Sequence, residues 1–313
     1  MNYNLINGTI GGDKVSDLVK SNDTYTPKND VIFKELFSRK GNEKYLIELL
    51  SKLTNENITS IEIRKDVTLD RSYISEKYGV LDIYATVNDS YIIDIEMQIV
   101  EYANFIARLE YYASNIISQQ LGSGEDYEEI KKSYIIAIVD YDMLKYDEEY
   151  IHRTVEVIEN HREDVFSDYI TKIIVELPKF RRKKVDINNV LEQWLLFIDQ
   201  TNREGVKMAM KKNENINNAN KELEYLTGDE EVRRRAELRI KYKRDMNSVK
   251  LLGHQQGYEL GKQEGIELGK QEGIELEKIK IIKSLLKNGV DIETIIKSTD
   301  LTKEELERIK NKL

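Results

Sequence analysis

The stretch from Gly79 to Val100 carries three polar side chains at positions where a hydrophobic hairpin does not ordinarily place them. Two β-branched and aromatic runs meet at residues 88–90, Asn-Asp-Ser, which is typical of a hairpin with a tight polar turn. Asp82 interrupts the first run, while Glu96 and Gln98 stand two residues apart in the second and therefore project from one face. Two carboxylates that converge on a partly buried edge repel each other unless a cation separates them, which favours a hard divalent cation with oxygen ligands.

The composition removes the main alternatives to carboxylate chemistry. The chain has no cysteine, and its three histidines, His152, His161 and His254, do not stand at metal-ligand spacing. A zinc site and nucleophilic chemistry centred on Cys or His are therefore not expected. The catalytic chemistry of this chain is expected to use carboxylates.

Length and charge set wider limits. A chain of 313 residues can hold one large core and a second, smaller unit. With 34% charged residues, a mean hydropathy of −0.56 and no apolar run of membrane-spanning length, a soluble protein is expected. No signal peptide is visible at the N-terminus, so cytoplasmic residence is the default expectation. A net charge of −9 argues against a general nucleic-acid coat, although local basic clusters and a bound cation can still hold a polyanion.

The elements that must position the polar hairpin begin after a polar tail of residues 1–23. Pro27 and the N-cap candidate Asn29 precede an apolar series at helical spacing, and residues 45–50 continue or follow it as a second series. Glu35 lies inside the first series. Its position is compatible with a solvated helix residue and equally with a carboxylate that leans toward Asp82 and Glu96.

The strands and helices around the hairpin predict a mixed α/β layer structure. Residues 58–67 alternate as a strand, and after the hairpin the apolar residues from 105 to 121 recur at helical spacing. Residues 134–139 form an uninterrupted apolar run, as in a strand that is buried on both faces. Two further strands are expected at 150–158 and 170–177, the second ended by Pro178. The sheet should carry the 105–121 helix on one face.

The second half of the chain is predicted to be mostly helical. Residues 185–250 are almost wholly helical in propensity, with Asn-rich breaks and a break at Gly228. Glycines then recur at every fourth position from 253 to 273, where the octapeptide GKQEGIEL occurs twice. Each glycine weakens a helix by up to about 1 kcal/mol, but the spacing keeps them on one slowly drifting face. Close helix pairing between chains is the preferred interpretation, and a flexible polar linker is the alternative.

Residues 279–313 have the size of a helix-turn-helix unit. The pattern is a helix, an Asn288-Gly289 turn, a helix at 291–297 and a final helix with Thr302 and Glu305 as a capping box. The second helix lacks an Arg- and Asn-rich reading surface, so a small packing module and a DNA reader are both open.

The order of these parts resembles the PD-(D/E)XK nuclease superfamily and, within it, the Rpn family of recombination-promoting nucleases and transposases. The resemblance rests on KNDVIFKELF at 28–37, GVLDIYA at 79–85, IEMQ at 95–98, RLEYYASNIISQQLGSGEDY at 108–127 and the glycine repeat. It spans nearly the whole chain. An isolated D…ExQ pattern would be weak, whereas the ordered set is specific.

The resemblance implies a site and a cofactor. Asp82 and Glu96 would be magnesium ligands, the backbone carbonyl of Met97 a third ligand, and Glu35 the outer acid of the leading helix. Manganese would substitute for magnesium. These ligands leave room in an octahedral shell for a phosphate oxygen and a water, which would make the chain a magnesium-dependent DNA endonuclease that promotes recombination or DNA mobility.

One residue departs from the superfamily pattern. The position two after the second acid is usually Lys, and here it is Gln98, which can orient water but carries no charge. Arg108 could supply a cation to a phosphate, or could instead form a salt bridge with nearby acids. Tyr112 could stack a base, although such tyrosines more often belong to a core or its rim.

Two basic runs are long enough to contact a nucleic-acid backbone. The run KFRRKK, with Lys179, Arg181 and Arg182, lies next to the catalytic domain and is the preferred candidate for contacting substrate. The run at 233–244 is balanced by the preceding acids, and most charge runs on helices are only solvated faces.

The sequence therefore predicts a restriction-endonuclease-like α/β/α core at 24–183 with a mixed sheet, followed by a helical C-terminal extension. The extension comprises a helical subdomain at 184–252, a glycine-repeat helix at 253–276 that supports a homo-oligomer, and a small helical module at 277–313. DNA is the expected partner, and no membrane association is expected. The alternative is a weakly active or inactive DNA-binding or oligomerising protein on the same scaffold.

Overall fold

The structure is a computed structural model that describes residues 25–64, 83–102, 104–299 and 301–310. Asp82 and the polar tail at 1–23 therefore lie outside the described residues. The described strands are β1 (Ile61–Arg64), β2 (Ile83–Val87), β3 (Tyr91–Gln98), β4 (Lys132–Val139), β5 (Ile151–Ile158) and β6 (His161–Glu176). The described α-helices are α1 (Asp30–Ser38), α2 (Glu43–Thr54), α3 (Phe105–Ser118), α4 (Leu177–Arg182), α5 (Val190–Asp199), α6 (Arg203–Lys212), α7 (Glu214–Gly228), α8 (Glu230–Lys287), α9 (Ile292–Thr299) and α10 (Lys303–Lys310).

The strands form one mixed sheet in the order β1-β2-β3-β4-β6-β5. The β1–β2, β2–β3 and β5–β6 pairs are antiparallel, while β4 runs parallel to both β3 and β6. Seven of the eight residues of β4 are buried, which confirms the prediction of a strand that is covered on both faces. The predicted mixed sheet is thereby confirmed.

The hairpin turn forms as the sequence predicts. Asn88 and Asp89 both adopt positive φ angles, 51° and 52°, which suits a two-residue turn between right-twisted strands. The Asn88 side chain accepts hydrogen bonds from the backbone N–H groups of Thr59 (2.9 Å) and Ser60 (3.1 Å). The turn is thus tied to the segment that leads into β1.

Helices cover both faces of the sheet. On one face, α3 packs against alternate residues of the strands, including Tyr84, Ile92 and Ile135. On the other face, the intervening residues of β3, such as Ile93 and Ile95, join a larger core with α1 and α2. Because side chains alternate along a strand, Glu96 and Gln98 belong to the face that carries α3.

Helices α5 to α7 share the larger core. Trp194 of α5 is fully buried, and its ring lies 5.8 Å from the Phe37 ring and 6.3 Å from the Tyr45 ring. Ile216 and Ala219 of α7 belong to the same core. The residues between 184 and 245 therefore contribute directly to the body that contains the sheet, which the sequence did not indicate.

The chain divides into two compact units, residues 1–245 and 246–313, and α8 contributes residues to both. In the second unit α8 runs through the glycine repeat, so this segment is a helix and not a flexible linker. Ile282, Ile295 and Leu306 form a small core between α8, α9 and α10.

The ends of the last two helices follow the predicted signals. Gly289 has a φ of 77°, as expected at the turn after α8. The Glu305 N–H donates to Thr302 Oγ1 (3.3 Å), and the Thr302 N–H donates to Glu305 Oε2 (2.9 Å), which confirms the capping box. Among the described residues, no helix is both long and apolar enough to cross a membrane.

Candidate active site

The polar residues of β3 lie at its C-terminal end, under α3. Asp94 is fully buried, and Glu96 and Gln98 are only 5% and 7% exposed. β2 begins at Ile83, directly after Asp82, and Ile83 pairs with Ile95, directly before Glu96. The described part of the hairpin therefore brings a row of oxygen-bearing side chains to one end of the sheet.

Arg108 of α3 joins the two predicted site residues of β3. Its Nη2 atom donates to Glu96 Oε2 at 3.1 Å and to Gln98 Oε1 at 3.0 Å. The amide of Gln98 donates in turn to the backbone carbonyl of Val100 at 2.7 Å, which fixes the orientation of the side chain. Gln98 thus presents its oxygen to the Arg108 guanidinium. The salt bridge that the sequence allowed for Arg108 is formed with Glu96, one of the predicted site residues.

Aromatic rings surround the Arg108 guanidinium. Its Cζ atom lies 4.9 Å from the Phe105 ring centre, 5.5 Å from that of Tyr102 and 5.7 Å from that of Tyr112. Tyr112 is 4% exposed and belongs to the core beneath α3. Its ring therefore supports Arg108 in this structure, while Tyr111, which is 49% exposed, is the more open ring of the pair.

Burial dominates the electrostatics of Glu96. Loss of solvent raises the pKa of Glu96, the positive charge and hydrogen bond of Arg108 oppose this rise, and the negative charge of Asp30 adds to it. Removing a carboxylate from water penalises its charged form, and a second carboxylate nearby adds to that penalty. A bound cation would relieve both effects, because it would favour the ionised forms of the two acids.

Asp30 is a buried acid of α1 that the sequence analysis did not select. It is the first residue of α1, is 6% exposed and forms ion pairs with Arg239 and Lys243 of α8. An Asp in the first turn of a helix ordinarily interacts favourably with the helix dipole at the surface. Its position in the sequence therefore gives no sign that Asp30 is buried. Asp30 is the last residue of the sequence motif KND, and the structure buries all three of its residues, Lys28, Asn29 and Asp30.

Glu35, the acid that the sequence analysis selected on the same helix, lies elsewhere. Its Oε1 atom accepts a hydrogen bond from Arg235 Nη2 at 2.6 Å, and its side chain is 34% exposed. Asp30 and Glu35 are five positions apart, which places them on different faces of α1. The negative charge of Asp30 contributes to the raised pKa of Glu96, while Glu35 pairs with Arg235.

The predicted substrate contacts of the KFRRKK run are engaged in ion pairs. The run lies in α4 rather than at the end of a strand, because β6 ends at Glu176 and a helix with Pro178 in its first turn follows. Lys179 is 2% exposed, and its Nζ atom is 2.9 Å from Glu176 Oε2. Arg182 pairs with Asp142 and Glu148, each at 2.9 Å.

Arg181 belongs to a network behind the site. It pairs with Asp140 and Asp199, while Lys28 Nζ lies 3.5 Å and 3.6 Å from the same two carboxylates. The backbone N–H of Asp140 donates to the carbonyl of Gln98 at 3.0 Å. This network therefore connects α1, α4 and α5 to the end of β3, and its residues have the contacts of a scaffold for the site.

Tyr141 is a further residue that the sequence did not single out. Its ring contacts Phe105 edge to face at a centroid distance of 6.3 Å, and among the described residues its buried hydroxyl has no hydrogen-bond partner. Burial raises the pKa of Tyr141, and the charge of Arg108 opposes that rise. No pattern in the sequence distinguishes this tyrosine from the 18 others.

The donor set suits a hard cation. The buried Glu96 and Gln98 offer carboxylate and amide oxygen atoms, which are ligands that magnesium and manganese prefer. Asp82 lies outside the described residues. The side chain of Met97 is buried in the larger core. A separate group, His161, Glu163 and Asp164, is exposed near the tip of the β5–β6 hairpin.

The mixed sheet with helices on both faces, together with a buried carboxylate at the end of its third strand, defines an α/β core of the PD-(D/E)XK nuclease class. A family model described as PD-(D/E)XK nuclease family transposase matches residues 27–251, and the chain belongs to this family. A second model, described as Rpn/YhgA-like nuclease family, C-terminal HTH domain, matches residues 275–311. The resemblance to Rpn-family nucleases and transposases is thereby confirmed.

The two matches bear on the open questions of the sequence. The C-terminal module is a helix-turn-helix domain of a nuclease family rather than only a packing unit, and nuclease and helix-turn-helix domains together suggest DNA binding. No curated protein and no solved structure matches the chain. Residue roles must therefore be argued from the contacts of this chain.

Proposed function

We propose that this chain is a magnesium-dependent DNA endonuclease that hydrolyses phosphodiester bonds and acts in recombination or DNA mobility. One observation carries the proposal: a buried Glu96, paired with Arg108, stands at the end of the third strand in a member of a nuclease family.

We assign Asp82 and Glu96 as the metal ligands, with the backbone carbonyl of Met97 as a third. For the acid on the leading helix we assign Asp30 rather than Glu35, since the Asp30 side chain is 6% exposed, whereas that of Glu35 is 34% exposed and pairs with Arg235. Bound magnesium, or manganese in its place, would lower the pKa of a coordinated water and neutralise charge on the phosphate.

The side chains around these ligands have separate tasks. Arg108 donates to both Glu96 Oε2 and Gln98 Oε1 from its Nη2 atom, and its side chain is 29% exposed. A guanidinium fork matches phosphate oxygens, so Arg108 is the proposed substrate contact on the α3 side. Gln98 orients Arg108 and can accept a hydrogen bond from a water near Glu96.

Burial and ion-pair partners distinguish the other residues that were predicted to contact substrate. Tyr112 acts through Arg108, because its buried ring supports the guanidinium. Lys179 and Arg181 are held by buried acids, so we assign them to the scaffold, whereas the 45% exposed Arg182 can still reach a nucleic-acid backbone at the rim. Exposed ion pairs of that kind contribute little and exchange partners readily.

We further propose that the glycine repeat joins copies of the chain. A Cβ atom added at Gly261, Gly265 or Gly269 would meet nothing within 4 Å, so one chain alone gives these glycines no packing role. Leu260 and Leu268, both 60% exposed, flank them. A single chain on its own explains neither the row of glycines nor the exposed leucines. Close pairing of two such helices accounts for both, by analogy with small-residue helix contacts in membranes.

A second function on the same scaffold is DNA binding without efficient cleavage. Gln98 favours it, because the position two after Glu96 lacks the usual positive charge. Conversion of supercoiled plasmid to nicked and linear forms distinguishes the two functions. We expect cleavage with magnesium and with manganese and none with a chelator; binding of the plasmid without cleavage under all three conditions would favour the second function.

A further inference from the structure

Helix α6 carries a row of basic side chains on its exposed face. Arg203, Lys207 and Lys211, the α6 row, stand four residues apart and are all exposed, and residues at this spacing share one face of a helix. At a rise of about 1.5 Å per residue the row is about 12 Å long. The helix holds four basic residues and one acid, Glu204, whereas the whole chain has a net charge of −9. The sign of the charge is therefore reversed locally at this face.

The charges of the α6 row are available to a partner. Among the residues that the structure describes, Arg203 and Lys211 have no hydrogen-bond or ion-pair partner. Lys207 Nζ lies 3.0 Å from Glu204 Oε1, but the two side chains are 66% and 81% exposed, and an ion pair so open to water contributes little. The basic run of α4, by contrast, is engaged with acids. The α6 row is thus the free basic surface that the α4 run was predicted to be.

The opposite face of α6 packs on the core and holds the row in place. Val206 and Ala209 are buried in the larger core. A Cβ atom at Gly205 would lie 2.9 Å from a methyl carbon of Leu196, so glycine at this position lets α6 approach α5 closely. The Gly205 N–H donates to Asn202 Oδ1 at 2.9 Å, which caps the start of the helix. The row is therefore presented by a packed helix and not by a loop.

Direct contacts connect the start of α6 to the end of β3. Asp199, the last residue of α5, stands four residues before Arg203. Arg181 pairs with both Asp199 and Asp140. The backbone N–H of Asp140 donates in turn to the backbone carbonyl of Gln98 at 3.0 Å. The α6 row therefore begins near the end of the sheet that holds the candidate site.

We propose that the α6 row binds the phosphate backbone of a DNA duplex beside the phosphate that is cleaved. The proposal rests on the proposed nuclease function and names a surface that holds its substrate. One DNA strand carries a phosphate about every 3.4 Å along the helix axis, so the row matches the axial length of three to four phosphates. Contacts of this kind position the duplex and release its counterions, and they carry no base sequence.

The experiment measures the affinity of the full chain for a duplex oligonucleotide from low to moderate salt, with a chelator present to prevent cleavage. The logarithmic slope of affinity against salt counts phosphate contacts, at about −0.9 for each contact with duplex DNA. Arg203→Gln, Lys207→Gln and Lys211→Gln should each reduce its magnitude by about 0.9, and the triple variant by about 2.7. Lys207→Arg and Lys211→Arg keep the charge and should keep the slope. Circular dichroism verifies that each variant is folded.

Two further variants show whether the position of the charge matters. Lys52 is the matched control, an exposed lysine in the last turn of α2, four residues before Glu56. Glu56 accepts a hydrogen bond from Tyr91 at the start of β3 (3.3 Å), at the opposite end of that strand from the candidate site, so Lys52→Gln should leave the slope unchanged. Glu204→Gln removes the acid of α6 and should strengthen binding.

Plasmid cleavage in magnesium gives a second readout. The α6 row holds the duplex equally in the ground state and in the transition state, because it contacts phosphates other than the one that reacts. The triple variant should therefore raise KM and change kcat little. Lys52→Gln should change neither.

The outcomes separate this inference from the proposed function. A triple variant with the native slope overturns the backbone contact and makes the α6 row a solvated face, even when the native chain cleaves the plasmid. A reduced slope in a chain whose native form cleaves nothing supports the backbone contact and defeats the nuclease proposal. Failure of the native chain to bind the duplex would overturn the backbone contact.

Discussion

Arg108 Nη2 lies 3.1 Å from Glu96 Oε2 and 3.0 Å from Gln98 Oε1, so one guanidinium group joins the acid and the amide that stand two residues apart on β3. This relationship gives Gln98 a defined partner. A lysine at position 98, which the superfamily pattern usually has, would bring a second cation close to Arg108. Gln98 and Arg108 therefore form a pair in which the cation comes from the helix instead of the strand.

The pair predicts that restoring the common lysine harms the enzyme. Gln98→Lys should slow plasmid cleavage, because the ammonium would repel Arg108 and remove the acceptor of its hydrogen bond. The buried donor left without a partner should also lower the free energy of unfolding by about 1–3 kcal/mol. Urea denaturation and initial cleavage rates measure both effects. Faster cleavage by Gln98→Lys would show that Arg108 does not replace the lysine.

The burial of Glu96 predicts how stability depends on pH. Its pKa in the folded chain is raised above the unfolded value by burial, so ionised Glu96 destabilises the metal-free fold at neutral pH. Glu96→Gln should therefore raise the melting temperature at pH 7 to 8. The gain should shrink as pH falls through the raised pKa and vanish near the ordinary pKa of a glutamate, because the acid is then protonated in both states.

The exposed residue Glu62 of β1 provides the control for this effect, and Glu62→Gln should leave the melting temperature nearly unchanged at every pH. Magnesium should raise the melting temperature of the native chain more than it raises that of the Glu96→Gln variant. A ligand that binds only the folded state stabilises that state by mass action. A lower melting temperature for Glu96→Gln at pH 8 without metal would contradict the assignment of Glu96 as a destabilising, cation-binding acid.

The shared core predicts that α5 to α7 cannot be separated from the sheet. Trp194→Ala should reduce the free energy of unfolding by about 3–5 kcal/mol, because Trp194 is fully buried against Phe37 and Tyr45. Met208, which is 48% exposed on α6, is the control, and Met208→Ala should cost less than about 0.5 kcal/mol. Two separate unfolding transitions, of which Trp194→Ala shifts only one, would show that these helices form an independent subdomain.

The glycine repeat makes opposite predictions for helix stability and for assembly. In a chain that carries Gly261→Ala, Gly265→Ala and Gly269→Ala, each alanine should favour the helix by about 1 kcal/mol. The new methyl groups should at the same time separate paired helices, so the mass in light scattering should fall while the melting temperature of α8 rises. Lys262→Ala provides the control on the same segment. An unchanged mass in the triple variant would exclude pairing through the glycines.

The architecture could be predicted largely from periodicity. The hairpin over residues 83–98, α3 and the buried β4 follow from alternation and helical spacing, and Asn88 and Asp89 supplied the turn. The capping box at Thr302 was likewise readable, because its two partners are three residues apart. In each case the decisive contacts are local in sequence.

The site was harder to predict because its contacts are distant in sequence. Asp30 and Arg239 are 209 residues apart, and no local pattern indicates that α8 returns to the start of α1. The spacing of α1 drew attention to Glu35 and gave no sign that Asp30 is buried, because the partners of Asp30 lie on α8. Lys179 and Arg181 formed a visible basic run, but their buried partners Glu176 and Asp199 could not be inferred from composition.

The central claim is that Asp82 and Glu96 hold the metal for phosphodiester cleavage, and nicking of supercoiled plasmid in magnesium tests it most directly. The native chain should convert the plasmid to nicked and linear forms. Asp82→Ala and Glu96→Ala should reduce the rate to background without loss of fold by circular dichroism, whereas Glu62→Ala should cleave at the native rate. Equal cleavage by the native chain and by the folded Asp82→Ala and Glu96→Ala variants would contradict the account.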